Sequence, residues 1–240
     1  MAKDWYSLKD IFAESKIVGE DLGNDWVYEP FAQYDSPIEN EFGAELYRHL
    51  KQRYKLQPQY EANTICGKFF LDFLIEVNGQ KIGFECDGKE FHDPDHDEWR
   101  DAMILGSGSA HIVYRFKGKD IRHYRHECIF LIACWHPEIF SPRGLQRLQA
   151  ISSPSISEYA LTTLPTTKTS HNIKLLDNPD SKMREFISVE CNSVAKSCAS
   201  SPESAPWWRH LYQYAEANGG GNIDTLRHRY FGVTSQPPIN

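Results

Sequence analysis

Apolar residues near position 40 recur with the period of a helix. Ser36 followed by Pro37, with Glu39 three residues after the serine, is a typical helix start, because the serine caps the free N–H groups and proline suits the first turn. The pattern predicts a helix over 36–54. One face of that helix carries Phe42, Leu46 and Leu50, each four residues from the next.

The next two apolar runs have the composition of strands. Residues 68–77 (KFFLDFLIEV) and 80–87 (QKIGFECD) are rich in aromatic and branched side chains. Asn78 and Gly79 separate them, and Asn-Gly favours the type I′ turn, in which both central residues have positive φ. The sequence therefore predicts an antiparallel hairpin.

Three further elements follow the hairpin. The pattern predicts a helix over 97–105, a buried strand over 110–116 and a helix over 119–135 that ends near Pro137. The order is helix, hairpin, helix, strand, helix. We expect an α/β fold with a mixed β-sheet flanked by helices.

The composition changes after residue 150. Ser, Thr and Pro dominate 151–170, and a second Ser-rich patch covers 193–206, so we expect linkers there. Weak helical patches fall at 180–190 and 206–230; the second is either a packing hairpin or a helix-turn-helix that binds DNA. The predicted organisation is an N-terminal extension (1–35) with a short helix, a core (36–150), a Ser/Thr-rich linker region (151–205) and a small helical appendage (206–240).

Composition narrows the class of protein. Hydrophobic residues make up 40% of the 240 residues, which suits a folded chain. The N-terminus lacks the apolar stretch of a signal peptide, and no run approaches the roughly 18 apolar residues of a membrane span. Six cysteines without a CxxC pair fit a reducing compartment. We expect a cytoplasmic protein with free thiols that does not contact a membrane.

The charge is unevenly distributed along the chain. The formal net charge is −7, whereas nucleic-acid binders rely on cationic side chains to neutralise phosphates. Residues 48–55 (RHLKQRYK) and 115–125 (RFKGKDIRHYR) are nevertheless locally basic. These segments are either ordinary solvated helix faces or a nucleic-acid surface.

The predicted hairpin brings acidic side chains together. Glu85 and Asp87 lie on the same face of their strand because side chains alternate. Asp72 and Glu85 are each six residues from the nearer turn residue, so they lie opposite one another. Such crowding is unfavourable unless a cation is present, and oxygen ligands favour Mg²⁺, for which Mn²⁺ can substitute. The alternative is a solvent-exposed acidic face.

The segments SPIE, DF, FECDGKEFH, WRD and VYRF occur in this order over residues 36 to about 136. Together they resemble the PD-(D/E)xK nucleases, and more narrowly the branch of very-short-patch mismatch-repair endonucleases with an E-x-D-G-x-x-F-H signature. The resemblance implies a restriction-endonuclease-like core and Mg²⁺-dependent hydrolysis of phosphodiester bonds in DNA. It also implies a 5′-phosphate product.

Particular residues take their expected roles from this resemblance. It assigns the metal shell to Glu39, Asp72 and Glu85. It extends the catalytic set to Asp87, Lys89 and His92, the histidine being suited to proton transfer. Asp87 stands where the classical motif has lysine, a departure that the narrower branch shares, and Lys89 compensates from two residues away.

The expected nucleic-acid contacts come from the segments after the signature. Arg100 matches the RD step, and Arg115 the strand that ends in RF; each is a phosphate-binding or a scaffold residue. Lys117 and Lys119 add to the predicted DNA surface. Cutting both strands with one site per chain would favour a homodimer, and the C-terminal segment could recruit a partner protein.

Two alternatives differ in kind from an active nuclease. One is a zinc-stabilised interaction protein, suggested by an untidy group of potential ligands: His123, His126, Cys128, Cys134 and His136. The other keeps the nuclease fold without activity, as a DNA-binding or assembly subunit, which the Asp87 departure allows.

Overall fold

The computed structural model describes five parts of the chain: residues 36–88, 93–163, 170–175, 185–194 and 207–234. The predicted extension over 1–35, with its short helix, lies outside these residues. Lys89 and His92, two of the expected catalytic residues, also lie outside them.

Helices and one mixed sheet make up the described residues. The helices are α1 (Pro37–His49), α2 (Pro94–Gly106), α3 (Gly118–Trp135), α4 (Pro142–Ile151), α5 (Pro154–Thr163), α6 (Trp207–Ala217) and α7 (Ile223–Thr234). The strands are β1 (Gln57–Thr64), β2 (Gly67–Val77), β3 (Gln80–Asp87), β4 (Ile112–Lys117), β5 (His171–Leu175) and β6 (Glu185–Ser193). The sheet has the order β1-β2-β3-β4-β6-β5. Its β3–β4 pair is parallel and the other pairs are antiparallel.

The predicted hairpin is present with its predicted turn. Asn78 and Gly79 have φ values of 51° and 75°, and Val77 pairs with Gln80. Asparagine and glycine tolerate positive φ better than other residues, so this dipeptide fixes the turn and with it the pairing register.

Helix α1 begins where the sequence predicts and ends earlier. Ser36 Oγ accepts a hydrogen bond from the backbone N–H of Glu39 at 3.2 Å. The helix ends at His49, not at residue 54, because Leu50 is extended (φ −68°, ψ 153°) and forms a bridge with Phe140. The three residues predicted for the apolar face, Phe42, Leu46 and Leu50, are all fully buried, although Leu50 lies just beyond the helix.

The sheet separates two hydrophobic layers. Phe73, Phe84 and Phe116 belong to the main core, which α1 and α3 cover. On the opposite face Leu74 and Val113 pack with Ile104 of α2. The acidic side chains of β3 share this second face with α2, because residues alternate along a strand.

The linker expected over 151–205 contains regular structure instead. Helix α5 lies within it, and the predicted helical patch at 180–190 is wrong, because residues 185–193 form a strand. Strand β6 pairs with β4, for example through Arg115 and Glu190, and β5 completes the sheet edge. The alternating buried positions Ile187, Val189 and Cys191 anchor β6 in the core.

The C-terminal helices pack against α2. Trp99 and Met103 of α2 form a buried cluster with Leu211 of α6 and with Ile223 and Leu226 of α7. The sequence left two alternatives for this segment, a packing hairpin or a helix-turn-helix that binds DNA. The buried cluster corresponds to the packing hairpin.

Two expectations from composition concern thiols and membranes. The described cysteines form no disulfide bond, which agrees with the expectation: Cys66, Cys86, Cys128, Cys134 and Cys191. None of the described helices combines the length and the apolar character that crossing a membrane requires.

Candidate functional site

Asp72 and Glu85 lie at the point where β2 and β3 separate. The last ladder pair between these strands is Phe73 with Phe84, so Asp72 and Glu85 are the next residues of the two strands, just beyond the paired region. Instead of a backbone pair, Oδ2 of Asp72 accepts a hydrogen bond from the backbone N–H of Cys86 at 2.7 Å. The strands thus open around the two carboxylates.

Glu85 is buried and neutralised by a side chain from α2. It is 3% exposed, and Nη2 of Arg100 lies 2.6 Å from its Oε1. Arg100 also donates to the backbone carbonyl of Phe70 on β2. The guanidinium therefore joins α2 to both strands of the hairpin.

The third expected metal ligand comes from α1. Glu39 lies in the first turn of this helix and is 7% exposed. Its Oε2 accepts a hydrogen bond from Nε2 of Gln59 on β1 at 2.9 Å. The cap formed by Ser36 holds the start of the helix, and thereby Glu39, against the end of the sheet.

The acids interact strongly enough to affect ionisation. Burial raises the pKa of Asp72 from 3.8 to about 6, and the negative charges of Glu39 and Asp87 contribute to the rise. The Cys86 N–H and Arg100 act in the opposite direction. Burial also raises the pKa of Glu85, with Asp72 adding to the effect and Arg100 opposing it. These carboxylates would be stabilised by further positive charge.

Arg115 is a structural residue in this arrangement. It is 4% exposed and forms two hydrogen bonds with Asp101 of α2, at 3.0 and 2.7 Å. A third bond, at 3.0 Å, reaches Asp87. Because the guanidinium is buried and fully engaged by acids, its contacts favour the scaffold role over the phosphate-binding role.

A cleft lies beside Asp87. It has a volume of about 530 Å³ and is lined by acids of α2, by Arg115 and by the exposed Lys117 and Lys119. Asp87 thus faces a space that a ligand can enter, with lysines on one side. Its carboxylate is also close enough to raise the pKa of Asp72.

The start of α3 carries a basic surface, defined by the exposed residues Lys117, Lys119, Arg122, His123 and Arg125. The acid within this segment, Asp120, is buried and accepts a hydrogen bond from the backbone N–H of Ser188 at 3.0 Å. The outer face of the segment is therefore cationic, although the chain as a whole is acidic.

A second groove, of about 670 Å³, runs from the basic surface to the end of β3. Lys119, Arg122 and His123 line it together with Gly88, which directly follows Asp87. A Cβ atom on Gly118 would lie 2.7 Å from Cδ1 of Ile38, so glycine allows the start of α3 to approach α1 this closely.

The donor set suits a hard divalent cation. Glu39, Asp72 and Glu85 offer carboxylate oxygens, which Mg²⁺ and Mn²⁺ prefer. Within the described residues, no group of three or more His, Cys, Asp or Glu side chains is arranged as a preformed metal site. The positive charge next to Glu85 comes from Arg100, so a cation there would share or displace an internal partner.

The potential zinc ligands lie on α3 or, for His136, directly after it, and two of the histidines have other partners. Nδ1 of His126 lies 2.8 Å from Oε1 of Glu45, and Nε2 of His136 lies 2.9 Å from the hydroxyl of Tyr114. Cys128 is buried in the main core. All of these potential ligands belong to the described residues, in which no group of three or more such side chains forms a preformed metal site.

Sequence reasoning missed Gln59 and the contact of Arg100 with Glu85. No local pattern marks Gln59, whose side chain meets a residue twenty positions earlier in the chain, Glu39. Arg100 and Glu85 are 15 residues apart, and they meet because α2 packs on the sheet face toward which Glu85 points.

Comparison with protein-family models, with curated proteins and with solved structures finds no match for this chain.

Proposed function

We propose that this protein is a Mg²⁺-dependent nuclease with a restriction-endonuclease-like core that hydrolyses phosphodiester bonds in DNA. The observation that carries the proposal is the group Glu39, Asp72 and Glu85. The carboxylates come from one helix and two strands and are close enough to repel one another, since Glu39 raises the pKa of Asp72 and Asp72 raises that of Glu85, in addition to the larger effect of burial. Folding such acids together is unfavourable, and a bound cation would offset this cost.

The surroundings of the carboxylates support a polyanionic substrate. The basic surface and its groove lead from Arg122 to Gly88, next to the signature strand. Cationic side chains provide most of the affinity of proteins for nucleic acids. A duplex backbone lying in this groove would bring a phosphodiester close to Gly88, which directly follows Asp87. The net charge of the chain does not prevent this, because Lys119 and Arg122 line the groove.

Each residue of the site has a separate role in the proposed reaction. Glu39, Asp72 and Glu85 would hold Mg²⁺, which when bound supplies Lewis acidity and lowers the pKa of an attacking water. Lys117 and Lys119 hold the phosphate backbone from the side of the cleft. Asp87 orients the nucleophile from the same cleft. Arg115 and Asp101 keep β4 and α2 at a fixed separation, which fixes the positions of Glu85 and Asp87.

A catalytically silent DNA-binding or assembly subunit is the second candidate. One observation favours it: the Cys86 N–H occupies one oxygen of Asp72, and Arg100 occupies one oxygen of Glu85. Carboxylates that already have hydrogen-bond or ion-pair partners within the protein do not require a metal ion. The raised pKa of Asp72 favours the active enzyme, because its internal partners do not compensate for burial.

Cleavage of supercoiled and single-stranded DNA tests the proposal. Wild type should cut with Mg²⁺ and stop when the metal is chelated, whereas Asp72→Asn and Glu85→Gln should not cut. Glu76→Gln is the matched control, because Glu76 is an exposed acid on the same strand as Asp72 and should leave cleavage unchanged. Equal cleavage by all four proteins would show that the site is wrong. No cleavage by any of them, with DNA binding retained, would favour the silent subunit.

A further inference from the structure

Gln59 has an unusual backbone conformation for its position. Among the described residues, Gln59 and Asn78 are the non-glycine residues with positive φ, at 47° and 51°. Asn78 lies in a turn that requires this conformation, whereas Gln59 lies inside β1. Glutamine gains nothing locally from the left-handed region, which only glycine, asparagine and aspartate visit readily. A neighbouring interaction must therefore compensate.

The distortion lies beside Asp72. Pro58 pairs with Phe73 and Tyr60 pairs with Leu71, so the ladder skips the position that Gln59 and Asp72 would share. The side chains on β2 show the same interruption of the regular strand. Leu71 packs in the α2 layer and Phe73 in the main core, although residues two apart normally point to the same face.

The side chain of Gln59 provides the compensating interaction. Its Nε2 donates to Oε2 of Glu39 across 2.9 Å, and the two residues are twenty positions apart in the chain. An amide that donates to one carboxylate oxygen leaves the other oxygen available, and it fixes the rotation of the carboxylate. Gln59 therefore contacts Glu39 with its side chain, and its backbone lies beside Asp72.

We propose that Gln59 is a positioning residue that orients Glu39 toward Asp72 and Glu85 so that the three acids bind a divalent cation together. The inference rests on the proposed function and deepens it. Partners of metal ligands commonly act in this way, and their loss weakens metal binding without removing a ligand. A plain irregularity of an edge strand would have no such effect.

Gln59→Gly separates positioning from folding. Glycine adopts positive φ freely, so the variant should unfold at the same temperature as wild type or higher. Its affinity for Mn²⁺, measured by calorimetry in the full chain, should fall about 10- to 100-fold. The Mg²⁺ concentration for half-maximal DNA cleavage should rise by a similar factor, and saturating Mg²⁺ should restore the rate.

Asn78→Gly is the matched control, because it replaces the other positive-φ residue at a site without acids and should leave metal affinity unchanged. Gln59→Asn is a second variant, which suits positive φ but is one methylene too short to reach Glu39; it should resemble Gln59→Gly. Wild-type affinity in both Gln59 variants, or loss of the fold in both, would overturn the inference and leave the proposed function intact. Absence of metal binding by wild type would overturn both.

Discussion

Nη2 of Arg100 lies 2.6 Å from Oε1 of Glu85, so a cationic side chain of α2 reaches the most buried acid of the candidate site. This ion pair explains how a carboxylate of raised pKa is accommodated next to the core. It also couples the position of α2 to the charge state of the site. Any cation that binds Glu85 must compete with, or share the acid with, this guanidinium.

Removing the guanidinium of Arg100 should destabilise the protein and increase the stabilisation that Mg²⁺ provides. Arg100→Met leaves Glu85 buried without its partner, which should lower the free energy of unfolding by about 3 kcal/mol. Added Mg²⁺ should raise the unfolding temperature of the variant by more than that of wild type, because it meets no competitor. Thermal unfolding with and without Mg²⁺ measures both effects.

The double variant Arg100→Met/Glu85→Gln is the control for that experiment. It removes both charges, so it should be more stable than Arg100→Met alone and should not respond to Mg²⁺. Wild-type stability of Arg100→Met would mean that the ion pair contributes nothing.

Arg115 should prove essential for stability and dispensable for DNA contact. Arg115→Lys cannot reproduce the two parallel bonds to Asp101, so we expect a loss of about 3 to 5 kcal/mol in the free energy of unfolding. Urea unfolding measures this loss. Lys117→Ala, an exposed neighbour on the same strand, should change stability by less than about 0.5 kcal/mol. Similar stability of the two variants would contradict the scaffold role.

The basic surface should govern the salt dependence of DNA binding. The test uses an Asp72→Asn background, which keeps the DNA intact. In it, Arg122→Ala should weaken binding to duplexes of any sequence. The slope of the logarithm of the binding constant against the logarithm of the salt concentration should fall in magnitude by about 1. Fluorescence anisotropy over a series of salt concentrations gives this slope. Lys68→Ala serves as the control, because Lys68 is exposed on β2 and pairs with Glu61. An equal effect of both substitutions would exclude a localised DNA surface.

Glu45 should make stability depend on acidic pH. Burial opposes its ionisation, but hydrogen bonds and charge from His49 and His126 outweigh burial and lower the pKa of Glu45 from 4.5 to about 2. A depressed folded-state pKa stabilises the protein above the unfolded value, and this contribution is lost as pH falls from 4.5 toward 2.

Glu45→Gln should therefore be less stable than wild type at neutral pH, by roughly 2 kcal/mol. The difference should shrink as the pH falls below 4.5. Denaturant unfolding at several pH values measures it, and a difference that is constant with pH would show that these contacts do not favour ionised Glu45.

The elements with strong local signals were predictable from the sequence. Asn78 and Gly79 specify a turn type, and the turn fixes which residues of β2 and β3 pair. Strand β6 was missed although Ile187, Val189 and Cys191 alternate with polar residues, because serine-rich sequence surrounds it. Its identity as a strand depends on pairing with β4, which no local pattern reports.

The candidate site was predictable only where it depends on the hairpin. The opposition of Asp72 and Glu85 follows from counting residues to the turn. The partners Arg100 and Gln59 come from α2 and β1, whose packing depends on the whole fold. Arg115 was assigned two alternative roles because the sequence shows its charge but not its burial against Asp101.

Binding of Mn²⁺ in the absence of DNA tests most directly whether the three carboxylates form a cation site. The paramagnetic resonance signal of free aqueous Mn²⁺ disappears when the ion binds a protein, so titration reports the bound fraction. Wild type and the control Glu76→Gln should bind Mn²⁺ saturably, and Asp72→Asn should bind it far more weakly. Equal binding by all three proteins, or none by wild type, would contradict the assignment of Glu39, Asp72 and Glu85.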